Sequence, residues 1–138
     1  MKRRTFLDSC TLIAAFQGKP EISDRVFEIL DDPNREFVVS RFLALELIPK
    51  PTFNRRQEEI AFMNDYLRNS GTNVESSEHV VIQALELAGK YDLHPVDALH
   101  ASCCVEARVD DFLTTEKDTK PLFRIKLFNI KSLLNPSN

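Results

Sequence analysis

Residues 5–16, TFLDSCTLIAAF, decide the fold of this chain. The short apolar run at 4–7 predicts a strand, and the apolar residues at 11–16 predict the start of a helix. Asp8 lies between the two, where the strand ends and the helix approaches. We therefore expect a strand that leads directly into a helix, with a carboxylate at the junction.

Strand and helix patterns alternate along the rest of the chain. They predict strands at 4–7, 36–39, 73–76, 112–114 and 126–130. They predict helices at 11–16, 22–30, 42–48, 57–67, 78–88 and 96–108. Ser40 and Ser77 are suited to cap the helices at 42–48 and 78–88, and Pro49-Lys50-Pro51 is expected to end the helix at 42–48. The alternation implies an α/β fold with three layers (α/β/α), in which helices cover both faces of a mostly parallel central sheet.

Length and composition predict one domain, residues 1–138, with no membrane segment. The chain is 43% hydrophobic, and no apolar run approaches the roughly 20 residues that cross a bilayer. Asp8 interrupts the apolar stretch that follows the basic start, which argues against an export signal. Cys10, Cys103 and Cys104 are odd in number and lack CxxC spacing, which favours a reducing cytoplasm over a disulfide framework or a zinc site.

The net charge of −3 excludes a protein that coats nucleic acid by bulk attraction. Charge is nevertheless unevenly distributed: residues 57–111 carry three basic and eleven acidic side chains, and residues 112–138 carry five and two. A basic surface patch that could bind nucleic acid therefore requires the more basic ends of the chain to meet in space. The alternative is an ordinary solvated surface.

Five acidic residues stand where predicted strands end or predicted helices begin: Asp8, Glu46, Asp97, Glu116 and Asp118. Each has an ordinary structural explanation when it is considered singly. Asp8 has the side chain of a helix N-cap, and Asp97 lies in a first helical turn, where the macrodipole favours an anion. Glu46 lies in an apolar helix, so it is either salt-bridged or exposed on a polar stripe.

Taken together, the five acids indicate a cation site. The carboxyl ends of parallel strands share one edge of a sheet, so the topology directs several of these carboxylates to one place. Clustered carboxylates repel one another unless a cation lies among them. Oxygen ligands with no companion His or Cys suit Mg²⁺ or Mn²⁺, and such a site supports metal-assisted hydrolysis of a phosphodiester.

Four segments of the chain resemble the signatures of the PIN-domain family, small α/β nucleases of which many are VapC-like toxin ribonucleases. The segments are LDSCTLIAAF (7–16), Glu46 after an SRF helix start, LHPVDALHAS (93–102) and LTTEKD (113–118). The resemblance extends over residues 4–130, and Asp97 followed by Ala-Leu-His-Ala is its most distinctive part. The resemblance implies an endoribonuclease, a hydrolase with Mg²⁺ or Mn²⁺ as cofactor and RNA as substrate.

The resemblance also implies roles for single residues. Asp8, Glu46 and Asp97 match three catalytic acids, of which Asp8 and Asp97 would be metal ligands. The fourth acid of the family is an Asp or Asn in a T-x-[D/N] turn, where this chain has Glu116, one methylene longer. Asp118, two residues further on, is the alternative metal ligand.

Polar and basic residues near the acids are candidates for contacts with RNA. We expect the hydroxyls of Ser9 and of Thr115, or of Thr114 in its place, to serve water or phosphate, and Arg41 and Lys117 to hold phosphates on either side of a cut. Further basic residues near the acidic segments are Lys50, Arg55, Arg56 and Lys120. The alternative for all of these charges is an ordinary solvated surface.

Two further functions compete with the ribonuclease. A non-catalytic module of the same fold would use a degenerate metal site, with Glu116 in place of Asp, for RNA or protein binding. An aspartyl-phosphate phosphatase is excluded, because such enzymes have a second Asp two residues after the nucleophile and Asp8 is followed by Ser9-Cys10. His100 lies one turn after Asp97, and we expect it to be a surface or supporting residue because metal-assisted hydrolysis needs no further base.

Apolar side chains crowd one segment, with Phe53, Phe62, Met63, Tyr66 and Leu67 within it. We expect these side chains to belong to the core; a dimer face or a groove for a partner helix is the alternative. The resemblance implies an antitoxin protein held by the early helices as a partner, and we also expect a homodimer.

Overall fold

The computed structural model describes residues 1–134. A sheet of five strands lies at its centre, and every pairing between neighbouring strands is parallel. In chain order the strands are β1 (Arg3–Leu7), β2 (Arg35–Ser40), β3 (Thr72–Val74), β4 (Asp111–Thr114) and β5 (Asn129–Ser132). Their order across the sheet is β3-β2-β1-β4-β5. The predicted α/β architecture is therefore confirmed, with a sheet that is parallel throughout.

Helices fill every connection from β1 to β4. They are α1 (Ser9–Phe16), α2 (Pro20–Leu30), α3 (Arg41–Leu47), α4 (Pro49–Phe53), α5 (Gln57–Arg68), α6 (Glu78–Tyr91) and α7 (Pro95–Glu106). A 3₁₀ helix, Pro121–Arg124, precedes β5. The predicted caps are confirmed, because Ser40 accepts from the backbone N–H of Leu43 and Ser77 from that of Val80.

The order of the strands assigns the helices to two layers. Parallel crossovers are right-handed, so the helices between β1, β2 and β3 lie on one face, and α6 and α7, which return the chain to β4, lie on the other. Phe62 of α5 packs against Phe16 of α1 and Phe27 of α2, with ring centroids 5.5 and 6.2 Å apart. On the second face the hydroxyl of Ser102 in α7 donates to the carbonyl of Val80 in α6 at 2.7 Å.

Burial along β1 shows that both faces of the sheet are covered. Thr5, Phe6 and Leu7 are successive residues that point alternately to the two faces, yet each is fully buried. Phe6 pairs in register with Phe112 of β4, and their rings lie 4.8 Å apart. The core therefore continues through the sheet into both helical layers, which accounts for the near-continuous apolar strands.

One predicted boundary is wrong, and one helix was not predicted. The last strand runs from 129 to 132 rather than from 126 to 130, because β4 begins at Asp111, whose partner in register is Asn129. Helix α3 ends before Pro49, as predicted, but Pro49-Lys50-Pro51 also forms the first turn of a further helix, α4. Proline is tolerated there because the first-turn N–H groups have no partner within the helix.

The sequence argued against a disulfide framework and against a membrane segment. All three cysteines are free, and Cys103 and Cys104 are buried in α7. Within residues 1–134 no helix combines the length and the apolar character needed to span a membrane. The described part of the chain thus contains no disulfide and no membrane-spanning helix.

Candidate active site

Four elements bring acidic side chains to the carboxyl edge of the sheet. Asp8 follows β1 directly and is the N-cap of α1. Glu46 lies in α3, which begins where β2 ends, and Glu116 lies in the turn just after β4. Asp97 lies in the first turn of α7. Because the strands are parallel, their carboxyl ends all lie at this edge, which is where ligands bind in open α/β sheets.

Asp8 is held by hydrogen bonds to both of its carboxylate oxygens. Oδ1 accepts from the backbone N–H of Ser9 at 2.8 Å, and Oδ2 accepts from the hydroxyl of Thr114 at 3.1 Å. The Thr114 hydroxyl in turn accepts from the backbone N–H of Glu116 at 3.0 Å. The carboxylate is only 6% exposed. Asp8 is therefore both a helix cap and a fixed point that connects the ends of β1 and β4.

The surroundings of Asp8 disfavour its ionised form. Burial raises the pKa of this carboxyl, and the negative charge of Glu46 raises it further. His100, the N–H of Ser9 and the hydroxyl of Thr114 oppose the rise without cancelling it. A carboxylate in this position is stabilised by an added cation.

Glu46 forms a close pair with His100 of α7. Oε1 of Glu46 lies 2.5 Å from Nε2 of His100, whose side chain is fully buried while that of Glu46 is 33% exposed. Burial opposes the ionisation of Glu46, but the hydrogen bond and the charge of His100 outweigh it and lower the pKa, with help from the Ser9 hydroxyl. Single ligand atoms of Asp8, Glu46 and His100 all lie within 4.8 Å of one another.

Asp97 lies beside these three residues. Burial raises the pKa of its carboxyl, and Asp8, Glu46 and Glu116 each raise it further, whereas His100 lowers it. Asp97 is not part of the group of ligand atoms within 4.8 Å that Asp8, Glu46 and His100 form. It nevertheless lies close enough to Asp8, Glu46 and Glu116 for their charges to raise its pKa.

Glu116, not Asp118, is the acid of the last turn that faces Asp97. Both Glu116 and Asp97 line a cavity of about 340 Å³, together with Lys120. Asp118 is exposed in the following loop and is not among the residues that line this cavity. Of the two alternatives for the fourth acid, the geometry thus favours Glu116.

The four residues predicted to contact substrate do not lie together. Ser9 is buried beside Glu46. The Thr115 hydroxyl is directed at Cys10; burial raises the pKa of the Cys10 thiol, and the hydrogen bond with Thr115 partly opposes that rise. Arg41 lines a separate pocket at the ends of β2 and β3. Lys117 is exposed in the loop after β4.

Two buried residues have roles that the sequence left partly open. Of the two expectations for His100, the surface position is wrong and the supporting position agrees with the structure, because His100 is buried and contacts Glu46 directly. The expectation of an acid cluster with no companion His is wrong. The available signal for His100 was its spacing from Asp97, three residues along one helix face. Thr114 was considered only together with Thr115, although its place at the end of a buried strand predicts an inward hydroxyl.

The cluster fits a hard divalent cation. Asp8, Glu46, Asp97 and Glu116 supply carboxylate oxygens, the ligand type that Mg²⁺ and Mn²⁺ prefer. The pKa of Asp8 is raised partly by Glu46, and that of Asp97 partly by Asp8, Glu46 and Glu116; a bound cation would relieve that repulsion. Among residues 1–134, His100 is the histidine with a ring nitrogen within 4.8 Å of ligand oxygens of Asp8 and Glu46.

Comparison with known proteins identifies solved structures with the same fold. A search of curated proteins gives no match. Among solved structures, the chain is similar to VapBC2 from Rickettsia felis bound to a promoter DNA fragment (13% identity, TM-score 0.70, 94% of this chain and 98% of that chain covered). It is also similar to a toxin–antitoxin complex from Klebsiella pneumoniae (17%, 0.68, 94% and 97%) and to DNA-bound VapBC from Salmonella typhimurium (14%, 0.68, 96% and 99%).

These similarities at low identity show that the fold is shared. The family model of the PIN domain matches residues 5–123, a range that contains Asp8, Glu46, Asp97 and Glu116. The match extends from the first strand to the 3₁₀ helix and so includes the whole acidic edge of the sheet. The chain belongs to the PIN domain family.

Proposed function

We propose that this chain is a divalent-metal-dependent endoribonuclease, a single PIN-like domain that serves as the toxin of a toxin–antitoxin pair. The observation that carries the proposal is the placement of four acids at the carboxyl edge of the sheet, where Asp8, Glu46 and Glu116 each raise the pKa of Asp97. Membership of the PIN domain family supports a nuclease. The solved toxin–antitoxin complexes of the same fold support the toxin role.

Each acid has a distinct part in the proposed site. Asp8 and Asp97 are the proposed metal ligands, Glu116 is the fourth acid, and Glu46 completes the catalytic set. When bound, Mg²⁺ or Mn²⁺ supplies acidification of a water and neutralisation of phosphate charge. Asp8, fixed by Ser9 and Thr114, holds its oxygens in place before any ligand arrives. This preorganisation is what a site for phosphodiester hydrolysis requires.

RNA is the proposed substrate, with basic residues on two sides of the acids. Lys120 lines the cavity that Asp97 and Glu116 share, which makes it the best-supported phosphate contact. Arg41 and Lys117 remain proposed contacts for more distant phosphates. Ser9 and Thr115 remain proposed contacts for water or phosphate.

The central test is cleavage of RNA by the purified chain while Mn²⁺ and then Mg²⁺ are titrated, with thermal unfolding followed in parallel. We expect metal-dependent cleavage and a rise in Tm with Mn²⁺. Asp8→Asn and Asp97→Asn should each reduce cleavage by about 10²-fold or more. Glu116→Gln should reduce it as well, and Asp118→Asn, in an exposed loop, is the matched control that should leave it unchanged.

A chain without metal-dependent cleavage of any RNA and without a thermal shift would overturn this proposal. It would favour the non-catalytic module, which binds RNA or protein through a degenerate site. If Asp118→Asn abolished cleavage and Glu116→Gln did not, the assignment of the fourth acid would be reversed while the ribonuclease remained.

An antitoxin and a second copy of the chain are the proposed protein partners. Apolar side chains are exposed on the consecutive helices α3 and α4, with Leu45 at 69% and Phe53 at 86%. Exposed apolar side chains of this kind are suited to a protein contact. The expectation that Phe53 belongs to the core is therefore wrong, whereas Met63 is fully buried, as core packing predicts. Light scattering should give a mass twice that of the chain, and the mass of a single chain would contradict the homodimer.

A further inference from the structure

His100 lies between the hydrophobic core and the acidic cluster. Its ring lies against that of Phe6, with centroids 5.1 Å apart, and its side chain is fully buried. Nε2 faces Oε1 of Glu46 at 2.5 Å. The imidazole is thus fixed on one side by the sheet and directed on the other at a single carboxylate.

The position of the proton on His100 follows from its contacts. At 2.5 Å, Nε2 and Oε1 need a hydrogen between them, because two lone pairs at that distance would repel each other. Nδ1 is buried and has no hydrogen-bond partner within residues 1–134. A proton placed only on Nδ1 would therefore leave a buried donor unsatisfied and also remove the bond to Glu46.

The protonated Nε2 cannot donate to Glu46 and ligate a metal at the same time. The hydrogen bond occupies Oε1 and leaves Oε2 of Glu46 for another partner. Single ligand atoms of Asp8, Glu46 and His100 lie within 4.8 Å of one another, so the hydrogen bond between His100 and Glu46 lies beside the proposed metal site. His100 therefore acts on the site through the carboxylate.

We propose that His100 is a positioning residue, whose Nε2–H bond holds the Glu46 carboxylate in the orientation that the divalent cation requires. The inference rests on the proposed metal site, adds Glu46 to its ligands through Oε2, and assigns His100 as a hydrogen-bond donor outside the ligand set. Hydrogen-bond partners of metal ligands change metal affinity by about 10- to 100-fold when they are removed. An effect of that size is measurable without any RNA.

The test compares two substitutions of His100 by the affinity of the purified chain for Mn²⁺, measured by calorimetry. The amide nitrogen of His100→Gln reaches about as far as Nε2 and can still donate to Glu46, whereas His100→Leu cannot donate. We expect His100→Leu to weaken Mn²⁺ binding by about 10- to 100-fold and His100→Gln to stay close to the unsubstituted protein. Ser102→Ala, which removes a buried hydrogen bond elsewhere on α7, should leave Mn²⁺ affinity unchanged.

A second comparison shows whether His100 acts through Glu46. In a Glu46→Ala background, His100→Leu should cause no further loss of Mn²⁺ affinity. If His100→Leu does not fold, His100→Met, which also fills the site without a donor, takes its place in both comparisons. Circular dichroism and the Tm without metal establish that each variant is folded.

Three results would overturn the proposal. The first is an unchanged Mn²⁺ affinity in His100→Leu. The second is an equal loss of affinity in His100→Gln and His100→Leu, and the third is a ¹⁴N coupling to bound Mn²⁺ in pulsed electron paramagnetic resonance. The last two would make the imidazole itself a ligand. Asp8→Asn separates this inference from the proposed function. If Asp8→Asn also leaves Mn²⁺ binding intact, the metal site itself is wrong; if Asp8→Asn abolishes binding and His100→Leu does not, only the role of His100 is wrong.

Discussion

The hydroxyl of Thr114 lies 3.1 Å from Oδ2 of Asp8 and donates to it, across the ends of two neighbouring strands. Thr114 is fully buried, and the same hydroxyl accepts from the N–H of Glu116. One side chain thus fixes the first acid of the cluster and the turn that carries the last one. A buried hydroxyl with both roles is a structural requirement of the site rather than a substrate contact.

Replacing Thr114 by Val should destabilise the protein by about 1–3 kcal/mol, because the buried Asp8 oxygen and the Glu116 N–H both lose a partner. Val keeps the β-branched shape, so packing changes little. Urea unfolding measures the effect. Thr114→Ser keeps the hydroxyl and should recover most of the stability, and Thr115→Val is the matched control. Equal stabilities of the Val and Ser variants at 114 would show that the hydroxyl contributes nothing.

Asp97→Asn should stabilise the metal-free protein at neutral pH by up to about 1 kcal/mol, a limit set by its partial exposure to solvent. The substitution removes a charge that Asp8, Glu46 and Glu116 repel. At saturating Mn²⁺ the order should reverse, because the unsubstituted chain gains the binding energy of the metal. Thermal unfolding with and without Mn²⁺ checks both signs.

The advantage of Asp97→Asn should also depend on pH. The pKa of Asp97 is raised in the folded state above its ordinary value of 3.8, so the folded state binds a proton more readily than the unfolded chain. Protonation therefore stabilises the unsubstituted protein as pH falls through the raised folded pKa, and this gain is complete below 3.8. The advantage should be largest at neutral pH and vanish below 3.8. An advantage independent of pH would exclude charge repulsion as its cause.

Asp111 should contribute stability from the opposite edge of the sheet. Both of its oxygens accept from Arg3 at 2.7 Å, and Arg35 lies 3.2 Å away. The hydrogen bond from Arg3 is the main reason that the pKa of Asp111 is lowered, although burial opposes it. Asp111→Asn should cost about 1–2 kcal/mol at neutral pH, since the arginines lose a shared partner.

The contribution of Asp111 has the opposite pH dependence to that of Asp97. Its folded pKa lies below the ordinary 3.8, so its stabilisation is present above 3.8 and is lost as pH falls through the lowered folded pKa. Urea unfolding from neutral to acid pH measures this loss, with the exposed acid Asp118→Asn as control. Mn²⁺ binding should be unaffected, and a change in it would contradict a purely structural role.

The elements and two of the acids could be predicted from sequence because their signals are local. Apolar periodicity and capping residues define most strands and helices within a few positions. Asp8 and Asp97 were found because a strand end and a first helical turn fix where their side chains lie. Helix α4 was not predicted because a proline that ends one helix can also begin the next, and the outcome depends on whether the residues after it continue as a helix.

The pair of Glu46 and His100 could not be predicted, because 54 positions separate the two residues and they lie on different helices. Only the packing of α3 and α7 at the carboxyl edge decides that a buried imidazole faces this carboxylate. The sequence left Glu46 either salt-bridged or exposed, and the partner was not evident. For the same reason Lys120 could not be ranked above Lys117, since both lie in one loop and only one lines the cavity.

Lys120→Ala should weaken RNA binding and lower the slope of log K against log salt concentration by about 0.7, the value for one phosphate contact on a single strand. The reason is that Lys120 lines the cavity with Asp97 and Glu116, where a phosphate near the proposed metal would lie. Binding is measured by fluorescence anisotropy in the Asp97→Asn background, which should not cleave the RNA. Lys117→Ala is the matched control from the same loop and should change the slope less. An unchanged slope in Lys120→Ala, or a larger change in Lys117→Ala, would show that Lys120 does not contact the RNA. The phosphate contacts would then lie outside the cavity.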